Sequence, residues 1–318
     1  MSKKPSLSLI IPTFRRTEGL KRALSSIENQ DLSAIDGFEI IVCDNDPLAS
    51  AKPSFDAMVA QSQHHLRYVH EPRPGVAFAR NTALSLAHYE FIAFLDDDQE
   101  AHPNWLNALI NTQKTFDADI VFGPVQSLIE TPNLNHRAYM ERFFARIGPS
   151  ADQKLDHYYG CGNALMRVSI LPKDRPIFDL ARNHMGGEDD GLFYALQCEG
   201  KVFAWSASAM VNEVVPLKRA RLSYTLPRAF AYGQGPAYTA WNDKKPLLAL
   251  YWMMNGLIQA LGLGLLGALA FGLRHPQSAP LLDKAARGLG KIFWGNAFKI
   301  NFYGVGLLSQ SERQQKIS

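Results

Sequence analysis

The chain has 318 residues, 47% of them hydrophobic and 20% charged, with a formal net charge of +3. That composition excludes a disordered chain, and so small a charge makes no case for a nucleic-acid partner. Three scattered cysteines, Cys43, Cys161 and Cys198, give neither a disulfide framework nor a paired-cysteine zinc site, as expected of a reducing compartment.

The amino-terminal third alternates between two periodicities. "LSLIIPTF" reads as a buried first strand; its apolar run is short and breaks at Pro12, unlike a signal peptide. "TEGLKRALSSIENQ" follows with a threonine cap at Thr17 and apolar positions Leu20, Ala23, Leu24 and Ile27 at helical spacing. "FEIIVCDND" predicts a strand, "PSFDAMVAQSQ" a helix, "HLRYVHE" a short strand, "GVAFARNTALSLA" a helix opening after Pro74-Gly75, and "FIAFLDDD" a strand. This rhythm predicts an α/β fold with a parallel sheet and helices on both faces. Ligands in such sheets bind beyond the carboxyl ends of the strands. Three polar strand ends, Pro12-Thr13, Asp44-Asn45-Asp46 and Asp96-Asp97-Asp98, are therefore expected to converge on one crevice. The middle of the chain mixes short strands, "ADIVFGPV" and "KVFAWSA", with the helix "EDDGLFYALQCEG".

Three neighbouring aspartates repel one another unless something positive sits among them. In a strand that stays extended, Asp96 and Asp98 point one way and Asp97 the other. That pair forms a hard-oxygen half-site suited to Mg²⁺ or Mn²⁺, which completes its shell with phosphate oxygens and water. A second acidic group, Glu188, Asp189 and Asp190, opens a helical pattern: it either caps that helix or supplies a general base for an attacking hydroxyl. Arg80, in "RPGVAFARNTAL", can fork onto phosphate or pair with a carboxylate.

In order, "IIPTFRR", "IIVCDND", "RPGVAFARNTAL", "FIAFLDDD", "GNALMR" and "GGEDDGLF" resemble glycosyltransferase family 2, inverting enzymes of the GT-A fold. The match spans about Leu7 to Val215 and looks most like bacterial exopolysaccharide glycosyltransferases working on lipid carriers. The resemblance implies that Pro12, Thr13 and Arg15 line the nucleotide pocket. Asp44 would accept a hydrogen bond from the base, typically uracil, with Asp46 nearby and Arg80 near the base or diphosphate. Asp96 and Asp98 match the outer positions of the DxD signature, with Asp98 the leading metal ligand, Asp96 a ribose or metal contact and Asp97 on the donor side. Gly162 and Asn163 match a loop before the acceptor site, Asp189 the base, and Glu188 its orienting or acceptor-binding neighbour, with Asp190 beside them. Relatives that carry a metal-binding histidine after the following strand differ here, where Asn212 and Glu213 stand.

Beyond Lys201 the acidic residues are only Glu213, Asp243, Asp283 and Glu312. Lys218, Arg219, Arg221 and Arg228 lie among aromatics and suit anionic lipid headgroups better than nucleic acid. Leu247 to Leu273 runs 27 residues without Asp, Glu, Lys or Arg. That exceeds the ~20 residues a bilayer-crossing helix needs, with Gly264, Ala268 and Gly272 forming a small-residue stripe. A single span would export the basic residues that follow, against the positive-inside tendency, so a peripheral or re-entrant arrangement competes with it.

The expected organisation is a GT-A domain over 1–230, divided into a nucleotide-sugar half (1–98) and an acceptor half (99–230), then a helical membrane-associated region over 231–318. The expected function is transfer of a sugar from a nucleotide diphosphate, typically UDP, to a saccharide or polyprenyl-diphosphate-linked acceptor. The expected location is the cytoplasmic face of the bacterial inner membrane, with Mg²⁺ or Mn²⁺ as cofactor. Competing classes are a metal-dependent nucleotidyltransferase, which has no use for the second carboxylate group, and a non-enzymatic sugar- or lipid-binding adaptor.

Overall fold

The structure, a computed structural model, describes residues 4–131, 133–173, 176–180, 183 and 187–300. Gly186 of the "GGEDDGLF" motif and the segment 301–318 of the expected membrane region lie outside the described residues. The chain divides into two compact units: one holds residues up to Gln126 together with Ala145–Val214, the other Ser127–Phe144 with Val215–Ile300.

The first unit is built on strands β1 (Leu7–Thr13), β2 (Phe38–Asp44), β3 (Leu66–His70), β4 (Phe91–Phe94), β5 (Gln99–Ala101), β6 (Ile120–Phe122), β7 (Val125–Leu128), β8 (Gln153–Leu155), β9 (Ala164–Arg167), β10 (Phe203–Trp205) and β11 (Val211–Val214). Its helices are α1 (Thr17–Glu28), α2 (Lys52–Val59), α3 (Val76–Leu84), α4 (Trp105–Phe116) and α6 (Glu188–Cys198); α5 (Arg137–Phe144) belongs to the second unit. Eight strands form one sheet in the order β3-β2-β1-β4-β9-β6-β10-β8, and β5-β11-β7 form a small second sheet. The expected parallel pairing holds among β3, β2, β1 and β4, whereas β9 inserts antiparallel between β4 and β6.

The period of two along each strand sorts side chains to opposite faces. Leu7, Leu9 and Ile11 join a core with Leu20 and Ile27 of α1, Phe55 of α2 and Trp105 and Leu109 of α4. Ile10, Ile41, Ile92 and Phe94 face the other way, onto Ala79 and Ala83 of α3 and Phe193 and Leu196 of α6. Each fully buried leucine, isoleucine or phenylalanine contributes about 1.5–3 kcal/mol. The α1 face is the one read from the sequence: Leu20, Ala23, Leu24 and Ile27 are its buried residues. Its cap is not. The helix begins at Thr17, so Arg16 occupies the cap position and makes no capping side-chain bond.

The second unit contains α7 (Leu222–Asn242), α8 (Pro246–Ile258), a π-helical turn over Gln259–Leu263, α9 (Gly264–Gly272) and α10 (Ser278–Ile292). The stretch Pro246–Gly272 forms one continuous helix long and apolar enough to cross a membrane, with only 11% of its most apolar window buried. Glycines set the spacing here. A Cβ at Gly256 would collide with the backbone of Gly288 in α10, and one at Gly233 of α7 with that of Arg287.

Candidate functional site

β1 and β4 lie side by side and parallel, so Thr13 and the aspartate triplet emerge at the same, carboxyl end of the sheet's strands. β4 stops at Phe94 and the chain turns, with the Gln99 N–H donating to the Asp96 carbonyl at 2.9 Å. The turn cancels the strand alternation expected for the triplet. Asp97 and Asp98 both reach Arg16, whose Nη1 lies 2.9 Å from Asp97 Oδ1 and 2.6 Å from Asp98 Oδ2. Asp97 is buried and also accepts from Thr13 Oγ1 at 2.8 Å and the Phe14 N–H at 3.3 Å. It anchors the β1 loop to the β4 loop.

Asp96 turns instead to Arg80. This arginine, on α3, is buried; its Nη2 lies 3.1 Å from Asp96 Oδ1 and its Nη1 bonds Glu188 Oε1 at the start of α6. Its guanidinium lies over the Phe94 and Phe178 rings, 5.9 and 5.5 Å from their centroids. One side chain therefore ties together two acidic groups separated by ninety-odd residues of sequence. Burial works against its charge, but the carboxylates of Asp96, Glu188 and Asp189 outweigh that and hold the guanidinium ionised.

Asp189 reaches the same place through the backbone. Its Oδ2 accepts the Cys161 N–H at 2.7 Å. The next residue, Gly162, lies so close to Asp96 that a Cβ there would collide with Oδ2. Residues 160–162 thus run between the carboxylates of Asp96 and Asp189. Arg146 braces this loop, donating from Nη2 to the Gly160 carbonyl at 2.9 Å and from Nη1 to the Asn163 carbonyl at 3.1 Å. Burial pulls this arginine's affinity for its proton down, while the charges of Asp96 and Asp189 oppose that.

Burial also acts on the acids. Asp98 is pushed up to about 6 by burial, with Asp97 and Asp96 adding to the shift and Arg16 opposing it. Glu188 is pushed up to about 7, again chiefly by burial, against the pull of Arg80. Side-chain exposure separates the triplet: 33% for Asp96 and 14% for Asp98, against 7% for Asp97.

The remaining expected residues fall into two groups. Asp44 is fully buried, its oxygens taking the Asp46 N–H at 3.1 Å, the Ala51 N–H at 2.8 Å and the Tyr68 hydroxyl at 2.8 Å. Arg15, with φ 53°, turns away from its neighbour Arg16 and donates to Asp46 at 3.1 Å. Pro12 lies in the same β1 strand as Thr13. Asn163, expected on the acceptor side, is fully buried with φ 58°. Its Oδ1 accepts Trp105 Nε1 at 2.7 Å and its Nδ2 donates to the Pro124 and Ala209 carbonyls. That side chain is committed inward, where it sets the conformation of the loop. Asp190 is exposed on α6, one residue past the two acids that point inward. The cap position of α6 is Gly187, which makes no side-chain capping bond, and Glu188, Asp189 and Asp190 all lie in the first turn, where their charge suits the positive end of the helix.

Sequence reasoning missed Arg16, Arg146 and Asn183. Arg16 stands in the quoted "FRR", and which of the two arginines turns inward depends on the positive φ of Arg15. Asn183 is buried, accepting the Ala77 N–H and donating to the Pro74 carbonyl, and it fills the space a Cβ on Gly75 (φ 136°) would take. Neither Asn183 nor Arg146 belongs to a patterned stretch.

Among the described residues, the carboxylates of Asp96, Asp97, Asp98, Glu188 and Asp189 lie close to the guanidinium groups of Arg16, Arg80 and Arg146. Among the described residues no group of three or more His, Cys, Asp and Glu is arranged to hold a metal. A cation held by Asp96 and Asp98 would complete its shell with phosphate oxygens and water, as Mg²⁺ or Mn²⁺ does.

Comparison with known proteins agrees with the motif order. Residues 8–174, more than half of the chain, match the family model described as Glycosyl transferase family 2. The succinoglycan biosynthesis protein ExoM of Rhizobium meliloti is 32% identical over 222 residues, 70% of this chain and 71% of that one. Chondroitin synthase of Pasteurella multocida is 26% identical over 239 residues; the match covers 64% of this chain but only 24% of that longer protein. A Campylobacter jejuni protein named GalNAc(5)-diNAcBac-PP-undecaprenol beta-1,3-glucosyltransferase is 33% identical over 107 residues, 33% of this chain and 34% of that one.

Proposed function

This chain belongs to glycosyltransferase family 2, and we propose that it transfers a sugar from a nucleotide diphosphate to a saccharide or lipid-linked saccharide during assembly of a bacterial exopolysaccharide or envelope glycan. Glycosyl transfer is the activity of the family. The finer assignments rest on one observation above the others: the Arg80 fork that joins Asp96 to Glu188.

The donor side is assigned to the strand ends carrying Thr13, Asp44, Asp46 and Asp96 to Asp98. Asp96 and Asp98 would hold Mg²⁺ or Mn²⁺, which when bound supplies positive charge against the departing diphosphate. Arg16 and Arg80 fix the carboxylates, so little reorganisation accompanies reaction. Asp189 is the proposed base. Its Oδ2 is held by the Cys161 N–H, and its other oxygen accepts the proton of the acceptor hydroxyl. The hydroxyl oxygen then bonds the anomeric carbon as the bond from that carbon to the diphosphate oxygen breaks. A single displacement inverts the centre, and the nucleoside diphosphate carries the leaving electron pair. Glu188, locked onto Arg80, orients the group and is not free to take the proton itself.

Transfer chemistry is assigned to the first unit and membrane contact to the second, at the cytoplasmic face where nucleotide sugars are made. UDP is the preferred nucleotide on the family resemblance. A screen of nucleotide sugars against membranes carrying lipid-linked oligosaccharides tests the assignment. Release of nucleoside diphosphate with a new, inverted glycosidic linkage is expected. Release of pyrophosphate from a nucleoside triphosphate would contradict it.

A further inference from the structure

The second unit contains a feature that the transfer reaction does not use. The helix Pro246–Gly272 is about 40 Å long at 1.5 Å per residue. Leu247, Ile258, Leu261, Leu265 and Leu273, along and just beyond it, are each between 66% and 81% exposed. Its buried positions are small, Ala249, Gly256 and Gly267, and the two glycines meet α10. The order of the close approaches, Gly267 to Leu282, Gly264 to Ala285 and Gly256 to Gly288, makes α10 antiparallel to it over most of its length.

Three observations decide how such a helix meets a bilayer. First, α10 is polar. It carries Asp283, Lys284, Arg287 and Lys291, and Asp283 is paired with Arg287 at 2.7 Å and with the Tyr139 hydroxyl at 3.1 Å. A spanning helix would drag these charges into the hydrocarbon. Second, Lys291 Nζ is bound to Asn255 Oδ1 at 2.9 Å and Gln259 Oε1 at 2.8 Å, where the helix loosens into its π turn. These partners lie mid-helix, at the depth of the bilayer centre if the helix stood upright. Third, both ends are basic and exposed, Lys244 and Lys245 before it and Arg274 after it. That symmetry suits two ends at the same interface and conflicts with a single crossing.

We propose that the helix Pro246–Gly272 lies flat in the headgroup layer of an anionic bilayer, its leucine-rich face in the outer acyl region, and does not cross the membrane. This rests on the reading that the second unit is membrane-associated. It names the mode, an apolar helix lying in the plane, backed by the charged α10, with the flanking lysines and arginine on headgroup phosphates.

The test uses the full chain with Cys198→Ser, since Cys43 and Cys161 are buried. Single labels are placed at Leu247→Cys, Ile258→Cys and Leu273→Cys, with circular dichroism matched to the parent. Each is floated with vesicles of phosphatidylglycerol and phosphatidylcholine carrying lipid-depth quenchers. The expected result is the same shallow depth for all three labels and roughly tenfold or more weaker binding to pure phosphatidylcholine. A deep Ile258 label between two ends in opposite leaflets would overturn the in-plane mode while leaving membrane association standing. Failure to float with any vesicle would overturn both. Equal binding to neutral vesicles would overturn the anionic preference.

Discussion

Replacing Arg80 with methionine keeps the length of the side chain and removes the charge that holds Asp96 and Glu188. The pair Arg80–Glu188 is buried on both sides, with side-chain exposure of 6% each. Removing one partner of a buried pair costs about 3–5 kcal/mol, because the other charge is left uncompensated. Against a total stability of roughly 5–15 kcal/mol, that is a large share. With a urea m-value of about 2–3 kcal/mol per molar, the unfolding midpoint should fall by about 1–2.5 M. The sign of the pH dependence follows from Glu188. Its folded-state pKa, pushed up to about 7, exceeds the ordinary 4.5. The stability it contributes is therefore fully present below 4.5 and lost as pH rises through 7. Arg80→Met raises that pKa further, so its deficit should be larger at pH 8 than at pH 5. Arg80→Met with Glu188→Gln removes the orphaned charge and should recover part of the midpoint without recovering transfer. A wild-type midpoint for Arg80→Met, or a double variant no more stable than the single, would refute the assignment of Arg80 as the tie between the acidic groups.

Gly162→Ala places a methyl against Asp96 Oδ2 and should cost about 1–3 kcal/mol in urea unfolding, with transfer falling more than stability because Asp96 is displaced. Asn163→Ala orphans Trp105 Nε1 and two buried carbonyls in a residue held at φ 58°, so a loss of at least about 3 kcal/mol is expected, read from tryptophan fluorescence during denaturation. Chelation with EDTA should abolish transfer, and Mg²⁺ or Mn²⁺ should restore it; full activity after exhaustive chelation would remove the metal from the account.

Much of the frame was legible because it follows from periodicity. The α1 face, the first four parallel strands and the placement of the aspartates beyond a buried strand all come from spacing and from polar residues at strand ends. The errors lie where backbone geometry departs from a regular repeat. The turn after Phe94 sends Asp97 and Asp98 to one arginine, which no alternation rule anticipates. The positive φ at Arg15 and at Asn163 decides which neighbours turn inward. Arg146 and Asn183 act through long-range contacts to carbonyls and an N–H, and single-chain patterns carry no sign of such partners. The Arg80 fork was readable only as a capacity; its two carboxylates come from elements brought together by the fold.

The central claim is that the acids around Asp98 and Asp189 serve a single displacement, one side gripping the departing diphosphate and the other receiving the acceptor proton. It is tested most directly by single-turnover transfer from a radiolabelled nucleotide sugar with Asp189→Asn, beside a measurement of nucleoside diphosphate affinity. The account predicts unchanged affinity with transfer lowered roughly a hundredfold or more. An Asp189→Asn protein that transfers sugar at the parent rate would contradict it.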